Sequence, residues 1–144
     1  MTKSFLVAAA LAVTTLAPVA TIAAPSAFAE AASTAALPSG DFVRKQKRLK
    51  GAYSVEQRGE QTVIVFSEDF RAARGPDLKV FLSPQTIADV DGDTAVNGAV
   101  LLGELSSTKG TQEYILPAGV ILSDFSSVLV HCEAYSVLWG GSDL

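Results

Sequence analysis

The chain has 144 residues, with eleven Lys and Arg against fifteen Asp and Glu, one His, one Cys and one Met. That inventory excludes a C-x-x-C-H haem attachment, an iron–sulfur cluster held by several thiolates and an intramolecular dithiol switch. It excludes a blue-copper centre built by this chain alone, which takes two His and a Cys, and the acidic balance argues against nucleic acid as a partner.

The first thirty residues read as an export signal. Lys3 supplies a positive start, Phe5 to Ala24 carries no charge, and Ala27-Phe28-Ala29 has small-x-small spacing ahead of Glu30. The apolar stretch is long enough for a membrane anchor. Pro18, Pro25 and the cleavage pattern favour instead a bacterial signal peptide over residues 1–29, cut after Ala29. No cysteine follows the apolar run, so a lipid-anchored lipoprotein is not expected. The mature chain loses Lys3 and keeps ten basic against fifteen acidic residues, a net charge of −5. Residues 30–39 are small, polar or Pro-containing and are expected to be a disordered leader. Residues 40–144 are expected to form one domain, large enough for a core without disulfides. No later apolar run would span a bilayer, so the expected mature protein is monomeric and periplasmic or extracellular, with no transmembrane segment.

The domain is punctuated like an all-β protein. Ala52 to Gln57 alternates, with Tyr53 and Val55 on one face, and Arg58-Gly59-Glu60 signals a turn. Thr62 to Phe66 is a β-branched and aromatic run that reads as a buried strand. The two together predict a hairpin. Gly75-Pro76-Asp77 is a turn, because Pro fixes φ and Gly accepts positive φ. Leu78 to Leu82 is the next strand, closed by Ser83-Pro84. Ile87 to Gly98 reads as a polar, solvated loop. Ala99 to Leu102 and Thr111 to Leu116 are further strands, the second ended by Pro117. Val128 to Leu138 is two strands or one with a bend. About seven short strands and no sustained helical period predict a β-sandwich or jelly-roll-like single domain.

Cys132 is the residue that asks for an explanation, because exported proteins normally pair their cysteines. It is a buried small hydrophobe, a redox thiol, a ligand of a bound group such as haem, or the site of an intermolecular disulfide. His131 beside it tempts one to see a pair. In a regular strand, however, Val128, Val130, Cys132 and Ala134 share an apolar face, and Leu129, His131, Glu133 and Tyr135 share the other. The two could then serve one group only through a bulge. His131 is expected to be half-exposed. A Ser-His-Asp triad would have to use His131 and finds no nucleophile-elbow motif. Asp89, Asp91 and Asp93 alternate, but Thr94 and Val100 stand where a calcium loop of the EF-hand type wants Gly and Glu. No metal site is expected. The basic run from Arg44 to Lys50 is either a solvated edge or a contact for an anionic surface or a partner. Trp139 is expected in the core.

Several segments carry a resemblance. Gly40 to Phe42 (GDF), Glu68 to Ser83 (EDFRAARGPDLKVFLS), Leu102 to Leu105 (LGEL), Gly110 to Pro117 (GTQEYILP) and Ser127 to Leu144 (SVLVHCEAYSVLWGGSDL) occur in the order found in the electron-transfer DM-thirteen domain. The chain resembles that family over nearly its whole mature length. The resemblance implies a β-sandwich related to the DOMON group of haem- and sugar-binding modules. It also implies a redox role at the cell surface, with one C-terminal cysteine, Cys132 here, as free thiol or as ligand of a bound group such as haem. His131 is the second candidate for such a group. Turnover by the domain alone is not implied. The expected partner is a redox or cell-envelope protein. The alternative is a cell-envelope binding module for carbohydrate or protein, with Cys132 structural. Two departures stand out. The basic run Arg44 to Lys50 replaces a stretch where the family often has a histidine, and His131 replaces the aromatic that usually precedes the cysteine.

Overall fold

The computed structural model describes residues 36–144; the expected signal peptide and most of the expected leader lie outside the described residues. Eleven strands form: β1 (Ser39–Asp41), β2 (Val43–Arg44), β3 (Leu49–Lys50), β4 (Ala52–Arg58), β5 (Gln61–Phe66), β6 (Arg71–Ala72), β7 (Leu78–Ser83), β8 (Val100–Glu104), β9 (Gln112–Ile115), β10 (Ser127–Cys132) and β11 (Val137–Asp143). One antiparallel sheet has the order β1-β4-β5-β9, a second has β2-β11-β10-β7-β8, and β3 pairs with β6 alone. The fold is all-β and consistent with a β-sandwich, and no α-helix occurs among the described residues.

The expected hairpin is β4–β5, paired from Tyr53↔Phe66 to Arg58↔Gln61. Alternation works as predicted there: Tyr53 and Val55 enter the core, together with Ile64 and Phe66. Around them Phe42, Phe66 and Phe70 pack edge-on or tilted, with ring centroids 4.8–5.5 Å apart, in arrangements aromatic quadrupoles prefer. From the other sheet come Leu78, Val80, Leu82, Val128, Val130, Cys132 and Trp139. These apolar faces account for most of the folding force, at about 1.5–3 kcal/mol for each fully buried aliphatic side chain.

The run from Val128 onward resolves as two strands. A 3-10 turn at Glu133–Tyr135 and Ser136, at φ 50°, reverse the chain between β10 and β11. The β10–β11 register steps between Val130↔Gly140 and His131↔Leu138, which leaves Trp139 as the extra residue of a bulge.

The segment between β7 and β8 departs from expectation. It is not simply a solvated loop. Ile87, Val90 and Ala95 are buried and make a second, smaller core with Phe81, Leu129 and Leu138 on the outer face of the five-stranded sheet. Strand β10 is therefore covered on both faces, and all six of its residues are buried.

Candidate functional site around Cys132

Cys132 ends β10, opposite Leu78 of β7 and Val137 of β11. Its thiol is free, has 0% exposure and belongs to the main core. Cross-strand partners share a face, so Leu78 and Val137 flank it on the inner side. Trp139 is in the same core, and its indole Nε1–H donates to the Ala73 carbonyl at 2.8 Å. The Gly75-Pro76-Asp77 turn lies against this layer. A Cβ on Gly75 would stand 2.8 Å from Trp139 Cζ2 and 3.0 Å from Leu78 Cδ2, so the close approach takes glycine.

Asp77 bonds beyond its own turn. Its Oδ2 accepts from the Ala134 N–H at 3.1 Å, and its carbonyl accepts from the Glu133 N–H at 3.2 Å. Lys79 bridges the same two segments, with Nζ 3.3 Å from Asp77 Oδ1 and hydrogen-bonded to the Glu133 carboxylate. The Glu133 hydrogen bond, with Asp77 behind it, holds the Lys79 ammonium above its ordinary range. The GPD turn and the turn after Cys132 are thus latched together over the end of β10. Sequence reasoning missed this latch. Its one signal was Lys79, a charge inside an otherwise apolar strand.

His131 lies on the other face, because β10 stays in unbroken register with β7 from Ser127↔Ser83 to Cys132↔Leu78. It is buried, not half-exposed: only 1% of its surface is accessible. The reason is the segment that covers this face. His131 Nε2 is 2.8 Å from the Gly92 carbonyl, and the ring meets Phe81 edge-on at 6.2 Å. A carbonyl only accepts, so Nε2 carries the proton and donates. Nδ1 has no partner among the described residues. Gly92 also abuts the β10–β11 turn. A Cβ there would stand 1.9 Å from the Ser136 carbonyl oxygen, which any side chain would push away.

The strand therefore keeps His131 and Cys132 apart, as alternation predicted, and the bulge does not bring them together because the extra residue is on β11. A haem does not fit between them. Three surface depressions among the described residues are lined by Gly75 to Leu78 with Glu104, Leu105 and Thr108; by Glu60 to Thr62 with Leu116 to Val120; and by Pro38, Leu122, Ser123, Phe125 and Leu144. Neither Cys132 nor His131 lines any of these three. Among the described residues, no three His, Cys, Asp or Glu side chains gather in a metal-binding group.

In the acidic segment, Asp91 Oδ1 accepts from the amides of Asp93 and Thr94 at 3.0 Å and from the Thr94 hydroxyl at 2.8 Å. These bonds, the Thr94 hydroxyl first, hold the Asp91 carboxyl below its ordinary value. The carboxylate serves as a turn cap.

No helix among the described residues is long and apolar enough to cross a membrane. No curated protein and no solved structure matches the chain. The profile of the family described as Electron transfer DM13 matches residues 41–143, which takes in every strand from β2 to β11 along with the GPD turn, Cys132 and Trp139. With that match covering most of its length, the chain belongs to the Electron transfer DM13 family.

Proposed function

We propose that this protein is an exported redox module whose reactive group is Cys132, acting as a bare thiol. The family match carries the electron-transfer assignment. What supports a bare thiol over a ligand is the packing: Cys132 sits at 0% exposure among apolar side chains, with His131 on the opposite face. A thiol so placed reacts only from an opened state, in which the Glu133–Tyr135 turn leaves the Gly75-Pro76-Asp77 turn. From there the thiolate attacks a partner protein's disulfide. A Cys132–partner S–S bond forms, the partner's own S–S bond breaks, and the leaving thiolate carries away the electron pair.

A second reading is favoured by the same burial. Free cysteines are often inert small hydrophobes. The domain would then bind carbohydrate or protein at the cell envelope, with Cys132 structural.

A redox titration of the mature protein from its native host separates the two, read by mass spectrometry after alkylation in denaturant. A reversible change confined to Cys132, lost in Cys132→Ala, is the expected result. A thiol that stays reduced at every potential overturns the redox reading and leaves the binding module. An ultraviolet–visible spectrum of the same material, before and after dithionite, is expected to be featureless. A Soret band lost in Cys132→Ser would overturn the bare thiol in favour of a ligand. Export is tested by sequencing the N-terminus of the secreted form, expected to begin at Glu30.

A further inference from the structure

Ten Lys and Arg follow the expected signal peptide, and eight of them fall on the β2–β3 segment and on segments paired or hydrogen-bonded to it. Arg44, Lys45, Lys47, Arg48 and Lys50 come from the β2–β3 segment. Three more arrive from distant sequence. Arg71 stands opposite Lys50 in the β3–β6 pair, Lys109 is bridged to Arg71, and Arg74 follows Ala73, whose N–H donates to the Arg48 carbonyl at 2.8 Å. Leu49 and Ala72 turn into the core, so their neighbours Lys50 and Arg71 turn out. All eight are exposed except Lys45, which is half-buried.

None of the eight makes an ion pair with a described carboxylate. The other two cations do: Arg58 binds Glu56 and Glu113, and Lys79 binds Asp77 and Glu133. Asp41, Glu68 and Asp69 flank the margin without bridging to it. Arg71 Nη1 donates to the Glu68 and Phe70 carbonyls, and Lys45 Nζ approaches the Ala88 carbonyl at 3.5 Å. Among the described residues of this acidic protein, the two cations away from the margin are paired with carboxylates and the eight on it are not.

We propose that this strip is a docking surface for a partner protein that presents a carboxylate-rich face. Charge complementarity selects the sign of the partner, since the strip opposes the net charge of the rest of the chain. Two features favour a protein over a lipid surface. The strip carries one exposed large apolar residue, Val43, and no aromatic to enter an interface. It also borders the one indole of the core: the Lys45 N–H donates to the Trp139 carbonyl at 2.9 Å, and Trp139 Nε1 donates to Ala73 beside Arg74. A partner docked there comes within a residue of the layer that holds Cys132. Such a contact would be small, polar and transient, as electron-transfer encounters are. The surface does not depend on the chemistry at Cys132, and its test reads binding alone.

The probe is fluorescent poly-L-glutamate, titrated with the mature protein at low and at physiological salt and followed by anisotropy. Binding at low salt is expected, weakening steeply as salt screens the strip. The quadruple variant Arg44→Gln, Lys47→Gln, Arg48→Gln, Lys50→Gln is expected to lose about tenfold or more in affinity, with an unchanged Tm. Arg58→Gln, away from the strip, is expected to bind as the native protein does. Should the quadruple variant misfold, Arg74→Gln with Lys109→Gln reports on the other half of the strip and is expected to weaken binding in the same direction. Absence of low-salt binding, or equal affinity in the strip variants, overturns the proposal. Binding to phosphatidylglycerol vesicles without binding to poly-L-glutamate also overturns it and gives the surface to a membrane.

Discussion

The Trp139 indole fills the inner layer and donates to a backbone carbonyl at once. Trp139→Phe keeps most of the apolar contact and leaves the Ala73 carbonyl unpaired. It is expected to cost about 1–3 kcal/mol of unfolding free energy, measured by urea denaturation. Cys132 offers a sharper check on its surroundings. Cys132→Ala removes a small apolar group, whereas Cys132→Ser buries a hydroxyl in an apolar cluster. The Ser variant is expected to be the less stable of the two, by roughly 1–3 kcal/mol. A Ser variant as stable as the Ala variant would mean that a polar partner or water reaches the site. At Asp91 the sign of the pH dependence is fixed by its bonds. They favour the charged form, so the cap holds above the ordinary value of 3.8 and is lost as pH falls through the lowered value of the folded state. Amide chemical shifts of Asp93 and Thr94 are expected to move at that acid transition and to lose it in Asp91→Asn. The facing of Cys132 was legible from strand alternation alone. The burial of His131 was not, because its cover comes from a segment some forty residues earlier in the chain, rich in Asp and Gly, whose apolar residues do not alternate.

The strands were legible where period and punctuation agreed, as in the β4–β5 hairpin and in β7. The run after Val128 was ambiguous because all of β10 is apolar or buried, so no period marks its end. What divides it is Ser136 in the left-handed region, a position no propensity announces. The latch between the GPD turn and the turn after Cys132 was invisible for a related reason: its partners are Asp77 with Ala134 and Lys79 with Glu133, joined only by tertiary contact. Its parts should not weigh equally. Lys79 and Asp77 are half-buried and Glu133 is exposed, and ion pairs that open to solvent contribute little, so Lys79→Met is expected to leave Tm nearly unchanged. Asp77→Ala removes the acceptor for the Ala134 amide and is expected to cost about 0.5–1.5 kcal/mol, while Asp77→Asn keeps an oxygen there and should recover most of it. Thermal melts of the three variants check the order. If Lys79→Met proves the most harmful, the ion pair and not the amide bond closes the turn.

Across the domain, charge and packing are both uneven. Cations that the sequence scatters over three segments converge on one margin, something the Arg44 to Lys50 run hinted at and only the β3–β6 pairing completes. The five-stranded sheet, meanwhile, has unlike cover on its two faces. One face meets the large aromatic core, and the other meets only the small cluster of Phe81, Ile87, Val90, Ala95, Leu129 and Leu138. A cluster of that size can come apart without the rest. Native-state hydrogen exchange should then fall into two tiers, with amides of residues 85–99 opening at far lower free energy than those of β7 and β10. The lower tier would bare the imidazole of His131 while the thiol one residue away stayed sealed, so that two neighbours in the chain would meet solvent on separate clocks.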